Sequence, residues 1–373
     1  MVFRRTAETF APYSMTLPAE FYNSADIFAE ELEKIFYDRW VCVGRASQLA
    51  IGNHLALKIG NESLVLARDS EGTLRAFFNV CRHRGALVCT QGTAHPPGLL
   101  RCPYHGWTYD LTGSLVRAPS MEEVDGFDKA KSPLHPVAVE NWEGFLFVNL
   151  AKEPEPFGKA FAPVLNRFSQ WGLEGLSVAR TIEYEIAANW KIIVENYSEC
   201  YHCPLLHPEF SRRVPFRSGK NDLFQGPFLG GFMDLSQDFD SLTVSGGICA
   251  PRLQGISGDD DRRVYFYALF PNMTLSLHPD YAMYFTLWPL ANDRTKIVCE
   301  WLFEAEGTDR GNCDPDDAVQ FWDEVNRQDW RVCELVQQGT RSRAYGPSPY
   351  CNTESLLVAF NQEVRKALGR PAS

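Results

Sequence analysis

The chain has 373 residues, a formal net charge of −11, and 45% hydrophobic residues, of which 25 are Phe, 14 Tyr and 9 Trp. That length suits two domains with ample material for buried cores. The negative balance without a basic patch excludes nucleic acid as a partner, no run of about twenty apolar residues exists to span a membrane, and the start, Met1-Val-Phe-Arg-Arg, lacks the apolar core of a signal peptide.

Residues 1–40 hold an amphipathic helical segment, Asp26-Ile-Phe-Ala-Glu-Glu-Leu-Glu-Lys-Ile-Phe, starting after Ser24. Residues 41–150 alternate short β runs with Gly, Asn and Pro turns. These are Trp40-Val-Cys-Val, Ser63-Leu-Val-Leu-Ala, Leu74-Arg-Ala-Phe-Phe-Asn-Val and Gly144-Phe-Leu-Phe-Val-Asn-Leu, the pattern of a small β domain. A Pro-rich connection, Glu153-Pro-Glu-Pro-Phe, leads into residues 151–373, which mix helices with aromatic strands. The strands are Val264-Tyr-Phe-Tyr-Ala-Leu-Phe, Tyr281-Ala-Met-Tyr-Phe-Thr-Leu-Trp and Lys296-Ile-Val-Cys-Glu-Trp-Leu-Phe, giving an α+β architecture. The run Ser257-Gly-Asp-Asp-Asp-Arg-Arg reads as a solvated loop. Eleven cysteines do not suggest a disulfide framework. Cys42, Cys89, Cys249, Cys299 and Cys333 lie in apolar surroundings typical of reduced buried thiols, which fits a reducing cytoplasm.

Four of the eight histidines fall in two clusters about 120 positions apart. In the first, Cys81-x-His83 is followed by Cys102-x-x-His105. Two thiolates hold one iron of a [2Fe–2S] cluster and two imidazoles the other, with a raised potential. Gly85 and Gly106 follow where backbone must wrap tightly, and Trp107 and Tyr109 are large covers. Structural zinc suits the same ligand types, but the short Cys-x-His arm is unlike a zinc finger.

The second cluster reads Asn189-Trp-Lys-Ile-Ile-Val-Glu-Asn-Tyr-Ser-Glu199-Cys-Tyr-His202-Cys-Pro-Leu-Leu-His207-Pro. Asn189 is an N-cap candidate, and the helix is expected to run to Pro204, with Glu199 and His202 on one face. Pro204 then breaks it and lets His207 return toward His202. Two histidines need a carboxylate to complete the facial triad of a non-haem iron site. Residues 316–337 read as one helix ended by Gly339, with Trp322, Val325, Val332 and Val336 on one arc that also contains Asp329. A carboxylate on a buried stripe is costly unless paired or metal-bound, so Asp329 is the chosen third ligand. A salt bridge to Arg212 or Arg341 is the competing reading. Cys200 and Cys203 flank His202, and a zinc knot through them is the weaker alternative.

Cys81-x-His83 with Cys102-Pro-Tyr-His105-Gly-Trp resembles the Rieske motif in the form found in Rieske non-haem iron oxygenases. The cysteines that form a disulfide beside the cluster in respiratory Rieske proteins are replaced by Ala86 and Tyr104. The resemblance implies a small all-β Rieske domain carrying Cys81, His83, Cys102 and His105. It implies a helix-grip catalytic domain with mononuclear Fe(II) on His202, His207 and Asp329. It also implies a homotrimer in which Glu199 bridges the two metal sites of neighbouring subunits, and a flavin/iron–sulfur reductase that delivers electrons from NADH or NADPH. The string Glu195-Asn-Tyr-Ser-Glu-Cys-Tyr-His-Cys-Pro is similar to oxygenases acting on quaternary ammonium compounds such as glycine betaine, carnitine, choline and proline betaine. An aromatic cage for such a substrate has candidates in Phe224, Phe228, Phe232, Tyr267, Tyr281, Tyr284 and Trp288. The alternatives are an aromatic-ring hydroxylating dioxygenase, an aromatic O-demethylase, and a Rieske ferredoxin that only carries electrons. The 220-odd residues after the first domain argue against the ferredoxin.

Overall fold

Ser24 opens the N-terminal helix, its hydroxyl accepting from the Ile27 N–H at 3.2 Å. The computed structural model describes residues 2–90, 95–304 and 313–371. Strand β1 (Arg4–Arg5) and helix α1 (Glu20–Asn23) precede that cap, and α2 (Ala25–Glu31) follows it. Proximity along the chain fold groups Met1–Ile35 with Phe161–Ser373, and Phe36–Ala160 by itself.

The unit Phe36–Ala160 is built from β2 (Val41–Arg45), β3 (His54–Ile59), β4 (Glu62–Arg68), β5 (Leu74–Phe78), β6 (Leu99–Arg101), β7 (Thr108–Asp110), β8 (Leu115–Arg117), β9 (Pro136–Trp142) and β10 (Phe145–Asn149). Helix α3 (Phe157–Ala160) closes it. The larger sheet runs β2-β10-β9-β5-β4-β3 and the smaller β6-β7-β8, with antiparallel neighbours throughout. Val65, Ala67 and Phe77 of the large sheet share one core with Leu100, Tyr109 and Leu115 of the small one. Each buried apolar side chain of this kind contributes about 1.5–3 kcal/mol.

The other unit has an eight-stranded antiparallel sheet in the order β1-β12-β13-β14-β15-β16-β17-β11. Its members are β11 (Leu176–Ile186), β12 (Lys220–Phe224), β13 (Phe228–Asp234), β14 (Arg263–Leu269), β15 (Met273–Leu277), β16 (Ala282–Ala291) and β17 (Arg294–Glu304). Among the described residues it is accompanied by α4 (Trp190–Tyr197), α5 (Cys203–Leu206), α6 (Pro208–Arg213), the 26-residue α7 (Pro315–Thr340) and α8 (Ser355–Ala367). Trp330 of α7 packs edge-on against Tyr184 of β11 and Phe285 of β16, with ring centroids 5.8 and 6.0 Å away. The long helix is thus held against the sheet, the α+β arrangement expected of the C-terminal part.

Three sequence expectations are corrected. Helix α7 runs through Gly339 and ends at a cap on Arg341, because Gly339 keeps ordinary helical geometry and a glycine stops a helix only when it adopts the left-handed turn. Val336 is 44% exposed, and the buried stripe continues instead through Cys333, Gln337 and Thr340. The acidic run is a 3-10 turn, Gly258–Arg262, whose Asp260 accepts hydrogen bonds from Gln170 and Tyr265.

Candidate active site

Two turns of the same construction carry the first four site candidates. The Cys81 N–H donates to Ala86 and the Gly85 N–H to Cys81; likewise Cys102 donates to Trp107 and Gly106 to Cys102, all at 2.8–3.1 Å. Gly85 and Gly106 take φ of +75° and +71°, where a side chain is disfavoured. The turns bury Cys81 and Cys102 and leave His83 and His105 exposed, their Nδ1 atoms 3.1 Å apart. His83 lies flat on Trp107, centroids 4.9 Å apart. The Tyr109 hydroxyl meets Cys81 Sγ at 3.4 Å and accepts from the Arg82 N–H at 3.0 Å. Burial raises the pKa of Tyr109 and so keeps the phenol protonated, able to donate to a Cys81 thiolate. Two buried thiols beside two facing imidazole nitrogens are a donor set that fits a [2Fe–2S] cluster.

The second group departs from its expected local structure. Asn189 caps α4, its side chain accepting from Lys191 N–H at 3.0 Å, but the helix stops at Tyr197. There Ser198 Oγ turns back to the Val194 carbonyl at 2.7 Å. Glu199 and His202 therefore sit in the irregular stretch between α4 and α5, not on one helical face. Pro204 and Pro208 occupy the first turns of α5 and α6. A proline there gives up an N–H that had no partner anyway, so these prolines start two short helices rather than ending a long one. His207 falls at the joint between them.

These elements bring His202, His207 and Asp329 together, with one ligand atom of each within 4.8 Å of the others. His202 Nε2 is 3.3 Å and His207 Nε2 2.8 Å from Asp329 Oδ1. The opposite ring nitrogens are held from behind: His202 Nδ1 by Glu199 Oε1 at 2.5 Å, His207 Nδ1 by Gln328 Oε1 at 2.6 Å. Asn196 Nδ2 donates to Asp329 Oδ1 at 3.1 Å. Burial alone would favour a protonated Asp329, but its bonds to His202 and His207 outweigh that and hold its pKa low. Burial would likewise keep His202 neutral, yet Asp329 and Glu199 push it up to about 10. The site thus attracts positive charge, and two Nε2 atoms with one carboxylate oxygen fit a facial-triad iron.

The salt bridges that competed for Asp329 do not form, since Arg212 pairs with Glu209 and Arg341 with Asp293. Gln328 and Asn196 escaped the sequence reading. Their only signal is adjacency, Gln328 to Asp329 and Asn196 to Glu199 along the chain. Also unforeseen is a disulfide between Cys200 and Cys203, whose Cα atoms lie 4.9 Å apart on either side of His202. The five cysteines expected as buried thiols are buried thiols.

A cavity of about 560 Å³ opens beside the three residues, and its Phe, Tyr and Trp lining is Tyr197, Tyr201, Phe210, Phe216, Phe232, Phe266 and Trp322. Of the seven cage candidates only Phe232 lines it. On β14 the cavity takes Phe266 and Ala268, so alternation turns Tyr267 to the other face, where it meets Asp222. Tyr281 stacks on His278, and Tyr284 bonds to Glu300. Phe224, Phe228 and Trp288 likewise lie outside the lining.

Cluster-binding turns on one unit and a His–His–carboxylate centre on the other define an oxidoreductase of the Rieske non-haem iron class. A Rieske [2Fe-2S] domain model matches residues 39–128, and a model for the ring hydroxylating alpha subunit catalytic domain matches residues 173–370; the chain belongs to this family. It is 32% identical to the glycine betaine monooxygenase oxygenase subunit of Chromohalobacter salexigens, covering 92% of this chain and 83% of that one. It is 32% identical to the carnitine monooxygenase oxygenase subunit of Acinetobacter baumannii, covering 88% and 86%. A solved quaternary ammonium Rieske monooxygenase, described for carnitine oxidation and inter-subunit electron transfer, superposes with a TM-score of 0.80 at 25% identity, covering 98% of this chain and 100% of that one.

Proposed function

We propose that this chain is the terminal oxygenase component of a multicomponent monooxygenase that hydroxylates, and so N-demethylates, a quaternary ammonium carboxylate such as glycine betaine, carnitine or proline betaine. The observation that carries the substrate class is an aromatic corner in the cavity. Phe210, Phe266 and Trp322 stand 5.9–6.2 Å apart, ring to ring, and Phe210 lies 6.4 Å from the His207 ring. Ring faces attract a trimethylammonium group, each by about 0.5–2 kcal/mol depending on desolvation. Arg5 and Arg217, both exposed, also line the cavity and are suited to the substrate carboxylate.

In this reading Cys81, His83, Cys102 and His105 hold the cluster, and His202, His207 and Asp329 hold the iron. The chemistry supplied there is oxygen activation with electrons arriving singly from a flavin/iron–sulfur reductase fed by NADH or NADPH. Gln328 and Glu199 would accept hydrogen bonds from Nδ1 of His207 and His202, leaving both Nε2 atoms to ligate the metal beside Asp329, which would displace the proton that His202 otherwise carries there. Asn196 fixes the carboxylate. The aromatic corner excludes water and holds the N-methyl carbon near the triad, while an arginine at the lining restrains the far end of the substrate. Residues 41–150 then form the cluster-bearing domain and 151–373 the iron-bearing domain. Residues 1–40 pack on the latter, supported by the grouping of Met1–Ile35 with the C-terminal unit. We place the protein in the cytoplasm, supported by its buried thiols. We read it as a homotrimer closed head to tail, a heterologous ring in which Glu199 links neighbouring subunits.

A single turnover tests the substrate class. The reduced protein is mixed with oxygen and, in parallel, glycine betaine, carnitine, choline and an aromatic acid. One of the ammonium compounds should accelerate cluster re-oxidation and yield formaldehyde. Acceleration by the aromatic acid alone, with no formaldehyde from any ammonium compound, would move the protein to the ring-hydroxylating or O-demethylating branch.

A further inference from the structure

Away from the site described above, three more side chains with metal-binding atoms converge in the unit Phe36–Ala160. They are His54 at the start of β3, the thiol of Cys89, and His95 ahead of β6, with one atom of each within 4.8 Å of the others. The two rings meet edge to face, centroids 4.8 Å apart. Cys89 is fixed through its backbone by Asn79. That side chain's Oδ1 accepts from the Val88 and Cys89 N–H groups at 3.0 and 2.8 Å, and its Nδ2 donates to the Cys89 carbonyl at 2.5 Å. His95 Nδ1 accepts from the Arg101 N–H at 3.0 Å, while its Nε2 is buried with no hydrogen-bond partner among the described residues. A buried polar atom left unpaired is costly and points to something that would satisfy it.

We propose that His54, Cys89 and His95 bind one divalent cation of the zinc class, with a fourth position left to water. Two imidazoles and a thiolate are borderline-soft donors, the set that selects zinc over magnesium or calcium. Burial lowers the pKa of both rings, which favours the neutral form that ligates. The proton balance is simple. Cys89 releases its thiol proton to solvent. A cation on His95 Nε2 sends the ring proton to Nδ1 and gives up the Arg101 hydrogen bond, a small loss beside a metal–ligand bond. The three ligands come from two stretches of chain, His54 from one and Cys89 with His95 from the other. Binding would therefore tie the edge strand β3 to the segment between the two cluster-binding turns, a structural rather than catalytic role.

The test uses the iron-loaded full chain and its Cys89→Ser and His95→Asn variants. Each is dialysed against limiting Zn²⁺, and zinc and iron per chain are measured. The wild type should retain one equivalent of zinc, and each variant should retain it about tenfold or more less firmly, with iron unchanged in all three. Cobalt(II) gives a second readout, a thiolate-to-cobalt charge-transfer band in the wild type minus Cys89→Ser difference spectrum. His95→Asn keeps the test decisive should Cys89→Ser disturb folding. Zinc held equally by all three proteins, zinc gained only where iron is lost, or no zinc retained by the wild type would each overturn the proposal. None of these results bears on the substrate reading, which the single turnover decides separately.

Discussion

At the scale of single residues, the catalytic iron site depends on which ring nitrogen carries a proton. Gln328 decides this for His207. Its Nε2 faces Glu324 Oε1 at 3.5 Å, which turns the amide oxygen toward His207 Nδ1 at 2.6 Å. An acceptor at that distance fixes the Nδ1–H tautomer and leaves the Nε2 lone pair for a metal. Replacing Gln328 with Leu should weaken iron retention by about 10–100-fold, the usual cost of losing such a partner, and Gln328→Glu, which keeps an acceptor, should restore much of it. Iron per chain after dialysis against a chelator measures this, with the visible spectrum of the cluster as the internal control. Unchanged retention in Gln328→Leu would reduce the contact to packing. Asp329 was legible beforehand because a carboxylate on an otherwise apolar helix arc is anomalous. Gln328, one residue earlier, carries no such anomaly and emerges only from the tertiary arrangement.

Among elements, the attachment of the N-terminal segment to α4 is the most exposed to failure. Glu31 of α2 and Lys191 of α4 are both completely buried, with Nζ 2.5 Å from Oε1. The second Glu31 oxygen accepts from Trp190 Nε1 at 2.9 Å. Burial pulls the Lys191 pKa down, and the Glu31 charge opposes that. Removing one partner leaves the other charge buried and unpaired, so Glu31→Gln should destabilise the protein by about 3–5 kcal/mol. Chemical denaturation should show this, with much of the loss recovered when Lys191→Met is added; a loss below about 1 kcal/mol would mean that water reaches the pair. This attachment was half legible. The Ser24 cap and the amphipathic period gave the helix, but nothing local indicated that Glu31 faces inward. The metal-binding segment shows the opposite fault. Helical spacing placed Glu199 and His202 on one face, but the helix stops before them, at Tyr197 with Ser198 as its cap. The choice of aromatic-cage candidates failed for a third reason. Membership of a cavity depends on which face of a strand a residue takes, and β-rich aromatic runs fit either face until the register is known.

For the whole molecule, stability and assembly each make a prediction. Burial pushes the Asp280 carboxyl up to about 6, despite hydrogen bonds from Ser241 Oγ at 2.6 Å and Cys249 N–H at 2.9 Å. An acid with a raised folded-state pKa stabilises the fold below its unfolded value near 3.8, and that contribution is lost as pH climbs to about 6. The loss should be at most about 3 kcal/mol. The unfolding free energy of wild type relative to Asp280→Asn should therefore fall between about pH 4 and 6 and level off above; parallel curves would place the proton elsewhere. Assembly is tested by complementation. On the proposed assignment a His105→Ala chain lacks a cluster ligand and an Asp329→Ala chain lacks an iron ligand, so each should be inactive alone. Co-expressed with different tags and purified through both, they form only mixed oligomers. In a head-to-tail ring of three, every mixed ring contains one junction where an intact cluster-bearing domain faces an intact iron-bearing domain of its neighbour. Activity of about a third of wild type follows from that count. Mixed oligomers without activity would mean that electrons pass within a chain, and Glu199 would then be only the group that orients His202.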